Sequence, residues 1–216
     1  MIAMWKPLVL FLLGAYHGLN PAMGWLFAVS LGMQEKNSRA TVQSLLPLGA
    51  GHLLSVGLIV GVAQMAQLTL PIATVRIVAA TALIGFGVYR FARRRHPRWV
   101  GMRVSSRDLV LWSFLMASAH GAGLMLLPFV LGDPQHAMAD GGHLHHAMMN
   151  VAQGGAATQW WVPVGLHTLG YLLVTAALAL VVYYKVGVAV LRRAWFNLDL
   201  LWVGALVGMG ILTLVI

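Results

Sequence analysis

His17-Gly18-Leu19-Asn20-Pro21-Ala22-Met23 lies inside the first long apolar run of the chain. It sets a histidine, an amide and a thioether beside a proline, which removes a backbone donor and opens a helical ladder. In hydrocarbon each such polar group must find a partner or cost several kcal/mol. The stretch therefore predicts a membrane helix broken at a defined point. A second histidine-glycine pair, His120-Gly121, falls in the middle of the fourth apolar run. The two pairs read as matching halves of one central site.

The rest of the composition agrees with a lipid setting. The 216 residues are 60% hydrophobic and only 9% charged, where a soluble domain carries roughly a quarter charged residues. Mean hydropathy is +0.81. The apolar residues form runs of about 20 or more, long enough to cross a hydrocarbon core at a helical rise of about 1.5 Å per residue. The formal charge of +9 sits in the connections between runs, as expected for a membrane protein, so no nucleic-acid partner is implied. With no cysteine, disulfides, thiolate metal sites and thiol relays are excluded. Lys6 ahead of Leu8-Val9-Leu10-Phe11-Leu12-Leu13 imitates a secretion signal, but the run continues to about Met33 without a small-x-small cleavage pattern, so it reads as a span.

Six spans are expected, at about 8–33, 42–67, 74–92, 109–132, 160–184 and 197–216. Glu35, Lys36 and Arg39 lie in the first connection. Arg90, Arg93, Arg94, Arg95, Arg98, Arg103 and Arg107 fill the third, and Lys185, Arg192 and Arg193 the fifth. The second is short and uncharged, and the fourth holds Asp133 and Asp140 without lysine or arginine. Positive charge thus marks the odd connections as cytoplasmic. Both termini are then outside, in a cytoplasmic (inner) membrane, with Lys6 the one contrary charge.

An internal repeat divides the chain into residues 1–100 and 101–216. Leu8-Val9-Leu10 leading to His17-Gly18 is echoed by Leu109-Val110-Leu111 leading to His120-Gly121. Pro47-Leu48-Gly49 with His52 is echoed by Pro163-Val164-Gly165 with His167. Ala82-Leu83-Ile84-Gly85-Phe86-Gly87-Val88 matches Ala205-Leu206-Val207-Gly208-Met209-Gly210-Ile211, with Arg76 opposite Asp199. Snorkelling or a helix-end contact accounts for those two charges. Three spans per repeat is an odd number, so the second copy enters from the opposite side. The fold class expected is all-α integral membrane, six transmembrane helices as two inverted three-helix repeats, a plan secondary transporters use for alternating access. Gly14-x-x-x-Gly18, Gly57-x-x-x-Gly61 and Gly204-x-x-x-Gly208 are faces for close helix packing.

Four histidines fall within spans: His17, His52, His120 and His167. The five carboxylates, Glu35, Asp108, Asp133, Asp140 and Asp199, all lie in connections or near span ends. Ionisable residues inside a membrane are functional candidates, although a neutral imidazole also bridges helices by hydrogen bonds. Imidazole suits nickel, cobalt, zinc or copper, whereas magnesium, calcium and manganese want oxygen. Histidine is also the group able to exchange protons near neutral pH.

The seven-residue stretch resembles the first-helix signature of nickel/cobalt transporters, H-x-x-D/E-x-D-H, and most closely the NicO-type exporters, where it often reads H-A-L-D/E-P-D-H. The inverted plan, the second-span histidine and the glycine-rich third span are similar to the wider LysE-type superfamily, including the hydrogenase- and urease-associated metal permeases. Only His17 carries over unchanged. Asn20 stands where the family has an acid, Ala22 where it has aspartate, and Met23 where it has the second histidine. Imidazole and thioether make a softer site, leaning toward copper(I).

The fourth connection adds His136, Met138, His143, His145, His146, Met148 and Met149 within residues 133–150. A mixed His/Met tract of this kind suits capture of a soft ion, or is simply a flexible polar loop. NicO-like exporters often carry a histidine-rich loop.

The expected function is secondary transport of a transition-metal cation through His17, Asn20, Met23, His52, His120 and His167. The ion is substrate, with no tightly bound cofactor, and the partners are the bilayer and the ion or a small solute; a homo-oligomer is compatible with the sequence. Export of a small organic solute such as an amino acid, as in other LysE-type proteins, is the alternative. A haem-binding electron carrier is a third, since histidine is a common axial ligand. Ser55, Ser113 and Ser118 accompany the histidines, but no G-x-S-x-G or H-E-x-x-H pattern appears, so no enzyme is expected.

Overall fold

The computed structural model describes residues 5–92, 104–131, 160–186 and 198–215, and among them the chain is helical without strands. The helices are α1 (Trp5–Leu19), α2 (Trp25–Gln34), α3 (Ser38–Thr69), α4 (Ile72–Ala92), α5 (Ser106–Ala119), α6 (Leu127–Val130), α7 (Trp161–Val181) and α8 (Leu198–Val215). Tight 3-10 turns at Pro21–Met23 and Leu124–Leu126 interrupt the first and fourth apolar runs, and a π-helical turn, Val182–Val186, extends α7. The remaining runs emerge as unbroken helices within a few residues of the limits expected for them. The His/Met tract from His136 to Met149 lies outside the described residues.

Local chemistry sets the helix ends. Lys36 turns the chain between α2 and α3 in the left-handed conformation (φ 51°), and Asn37 caps α3 by accepting from the Arg39 N–H at 2.9 Å. At α5, Ser105 and Asp108 form a reciprocal capping box, in which each side chain accepts from the other's backbone N–H. Pro47 lies inside α3 and costs it one backbone bond, which a long membrane helix tolerates.

Three helical stretches are long and apolar enough to cross a membrane: Ser38–Thr69, Ile72–Tyr89 and Trp161–Lys185. A fourth is reached if α5 and Leu124–Val130, bent by 51°, count as one broken span. The stretches Lys6–Leu19, Trp25–Gln34 and Val203–Val215 are apolar but shorter. These are the dimensions of a membrane-integrated protein. Burial tells the same story: α3 turns Leu46, Leu54, Leu58, Val62, Met65 and Leu68 outward and buries Thr41, Ser44, His52 and Ser55. A polar seam inside an apolar shell is the arrangement a lipid solvent favours.

Packing follows a paired scheme. The largest helix contacts are α1 with α7, α3 with α5, and α4 with α8, followed by α3 with α7. Glycines allow the closest approaches. A Cβ on Gly14 would run into the His167 carbonyl, one on Gly170 into the Phe11 carbonyl, and one on Gly51 into the Val110 carbonyl. The other two glycine faces read from the sequence are used differently: Gly57, Gly61, Gly204 and Gly208 have nothing within 4 Å of such a Cβ. Of the three, only the Gly14/Gly18 face is packed tightly among the described residues.

Candidate functional site

The first break begins where Pro21 lacks an N–H and biases Asn20 out of the helical region. Asn20 is extended (φ −71°, ψ 121°), and its side-chain oxygen accepts from the Ala22 N–H at 3.0 Å to cap the 3-10 turn. Gly24, at φ 120°, redirects the chain into α2. Three carbonyls released by the break are met by aromatic side chains. The Trp25 Nε1–H donates to the Leu19 carbonyl at 3.3 Å, the Trp112 Nε1–H to that of Ala22 at 2.8 Å, and the Tyr171 hydroxyl to that of Met23 at 2.7 Å. The break is thus braced from α2, α5 and α7 together.

Trp112→Phe keeps most of the ring but strands the Ala22 carbonyl. It is expected to cost about 0.5–1.5 kcal/mol, the net worth of one hydrogen bond, at this part-buried carbonyl. Thermal unfolding of the detergent-purified protein measures this, and an unchanged midpoint would show that another donor takes over.

The second break closes on its own backbone. The Ala122 N–H reaches the Ala117 carbonyl at 3.0 Å and the Gly121 N–H the Ser118 carbonyl at 3.1 Å. With Gly121 at φ 69°, this is a Schellman ending, which favours glycine because the left-handed conformation strains other residues. His120 occupies the C-cap.

Both broken helices hold their histidine in the same way. Nδ1 of His17 bonds the Leu13 carbonyl at 3.0 Å, and Nδ1 of His120 bonds that of Met116 at 2.8 Å. A carbonyl only accepts, so Nδ1 carries the proton and Nε2 is the acceptor nitrogen in each ring.

His17, His52 and His167, from α1, α3 and α7, come together. Their ring centroids are 5.9 Å apart for His17–His52, 4.9 Å for His17–His167 and 5.4 Å for His52–His167. All three are fully buried. His120, also buried, is near enough to His17 for an electrostatic interaction. Neither ring nitrogen of His52 has a hydrogen-bond partner among the described residues. The buried set of described residues contains no Asp, Glu, Lys or Arg, so the seam holds its polar atoms without fixed charge.

Asn20 and Met23 stand beside this cluster with other duties. The Asn20 oxygen caps the turn, and Met23 is buried in an apolar cluster with Leu10, Val56 and Val60. Among the described residues, no group of three or more His, Cys, Asp or Glu side chains is arranged to hold a metal ion. The imidazoles gather without forming a ready-made coordination sphere.

Several contributors carry no recognisable motif. Tyr171 stacks on His52, with ring centroids 4.0 Å apart and planes 11° from parallel. The Ser55 and Ser118 hydroxyls bond each other at 2.8 Å, and Ser113 donates to the Leu48 carbonyl at 2.6 Å, tying α3 to α5. The three serines that accompany the histidines in sequence are therefore joints between helices. Tyr171 alone had a usable signal: it lies one turn beyond His167 on the same helical face.

The chain matches no protein-family model, no curated protein and no solved structure.

Proposed function

We propose that this chain is a secondary transporter of a transition-metal cation, with His17, His52 and His167 as the core of its substrate site and His120 beside it. The observation that carries the reading is the gathering of three buried imidazoles from three helices next to a helix break. Imidazole nitrogens sharing one tetrahedral or trigonal ion at about 2.0–2.1 Å would set their ring centroids about 5 Å apart. The three separations of 4.9–5.9 Å bracket that value, and the near-parallel His52 and His167 planes, 12° apart, would have to turn for their nitrogens to share an ion.

The helix pairing supports the six-span inverted repeat behind this mechanism. Under an exchange of first and second halves, the α1–α7 contact becomes the α5–α3 contact, and α4–α8 and α3–α7 map onto themselves. These four are the largest contacts, while α2–α3, almost as large as α3–α7, exchanges with α6–α7, which is not among the principal ones. The LysE-type resemblance and an inner-membrane setting with both termini outside belong to the same reading.

A small organic solute is the second reading. It is favoured by the lack of an arranged metal-holding group among the described residues and by the cap and packing roles of Asn20 and Met23. Haem is the third reading, with no observation that favours it over the other two.

The test is flux of nickel, cobalt, zinc and copper(I) into proteoliposomes, comparing the unmodified chain with His17→Ala. Flux of one ion, reduced by about tenfold or more when a transition-state or binding contact of this strength is lost, is the expected result. No flux of any of them from folded protein would overturn the metal reading and direct the assay to organic solutes.

A further inference from the structure

Tyr171 is the residue that touches both halves of the arrangement just described. Its ring lies flat against His52 at 4.0 Å, and its hydroxyl donates to the Met23 carbonyl at 2.7 Å. Its backbone is fixed as well. A Cβ on Gly18 would stand 2.6 Å from the Tyr171 carbonyl, so α1 rests directly on α7 one residue past His17. Trp112 serves the neighbouring Ala22 carbonyl at 2.8 Å, and its ring packs edge-on against Phe27.

We propose that Tyr171 is a positioning residue that couples the His52 ring to the break between α1 and α2, so that a change at the cluster is transmitted to the broken helix. A stacked neighbour at 4.0 Å restricts the tilt of the imidazole, and a tilt of the phenol in response displaces its hydroxyl from the Met23 carbonyl. The hydroxyl has an alternative partner in reach of the same helix face, because Thr175, one turn further along α7, is a buried hydroxyl with no hydrogen-bond partner among the described residues. Two arrangements are then available: one braces the break, and the other releases Met23 while keeping the phenol satisfied. A coupling element needs two such discrete states that both sites bias. As a control of substrate access the coupling rests on the transporter reading; as a structural linkage it does not.

The absence of cysteine from the chain allows a direct measurement. Ala22→Cys places a single thiol at the break, on a half-buried position, and its rate of modification by a water-soluble maleimide reports opening there. The purified full chain is compared in a double-mutant cycle of His52→Ala and Tyr171→Phe, with Trp112→Phe as a parallel background. Tyr171→Phe is expected to raise the rate about tenfold, the loss of one buried hydrogen bond. His52→Ala is expected to raise it to a similar extent with Tyr171 present, and by less than about twofold once the Tyr171→Phe substitution has already released the carbonyl. In the Trp112→Phe background the His52→Ala effect persists undiminished. Equal effects of His52→Ala with tyrosine and with phenylalanine would overturn the coupling. His52→Gln, which removes the ring but keeps a polar side chain, must give the same pattern and secures the test against a poorly folded alanine variant.

No metal enters the cycle, so its outcome is separate from the flux assay. Coupling without metal flux keeps the role of Tyr171 and overturns only the substrate. Flux without coupling does the reverse.

Discussion

Gly14→Val is expected to separate α1 from α7 and to leave little folded protein. The substituted Cβ would occupy the place of the His167 backbone carbonyl, and backbone, unlike a flexible side-chain end, cannot step aside. Overpacking of ordinary core positions costs about 1–3 kcal/mol; a backbone collision at the principal helix contact should reach or exceed the top of that range. The damage also falls on the site, because the carbonyl belongs to His167 itself and His17 is three residues further along α1. The measurement is the yield of monodisperse protein in detergent and its thermal unfolding, followed by intrinsic tryptophan fluorescence. Gly57→Val is the matched control. It makes the same change in a glycine-xxx-glycine face with nothing within 4 Å of the added Cβ, and it should stay within about 0.5 kcal/mol of the parent, as surface positions do. If both variants fold equally well, close approach at Gly14 is not what holds α1 to α7.

That pair of variants also shows where sequence reading reaches its limit. Three glycine-xxx-glycine faces look alike as strings, and small residues permit close approach without specifying which partner arrives. Only three-dimensional packing separates Gly14 from Gly57. The breaks were more legible, because their causes are local: Pro21 removes a donor, and Gly121 accepts a left-handed backbone. Even so, the two breaks end differently, one needing outside donors and the other closing on itself, and the repeated His-Gly pair gives no hint of that. Symmetry in the sequence pairs His17 with His120 and His52 with His167, and it gives no sign that three of the rings meet while His120 stands beside them. Nor does it announce the braces. Trp112 and Tyr171 lie 90 and 148 residues from the carbonyls they serve, and an aromatic residue in an apolar run reads as packing. Asn20 shows the converse ambiguity: an amide beside a proline is equally a ligand and a turn cap until the Ala22 N–H is seen to occupy its oxygen.

His52→Leu should stabilise the fold and abolish transport, two effects of opposite sign from one substitution. His52 is fully buried, and both of its ring nitrogens lack hydrogen-bond partners among the described residues. Burying such a group carries a desolvation cost of about 1–3 kcal/mol that an apolar side chain of similar volume avoids. Leucine retains contact with the face of Tyr171 and fills most of the space, so the loss of stacking, worth about 0.5–1.5 kcal/mol, offsets only part of the gain. Unfolding in detergent should therefore shift to higher temperature. A binding site built on imidazole, by contrast, loses a donor that leucine cannot replace. Proteins keep unsatisfied polar groups where function needs them, and removing one commonly trades activity for stability. The two readouts together decide what kind of residue His52 is. A more stable variant without flux marks it as part of the substrate site. A less stable variant would mean that the imidazole is held by interactions the fold depends on, and the cluster would then be a polar joint between α1, α3 and α7, leaving the site of transport to be sought elsewhere along the seam.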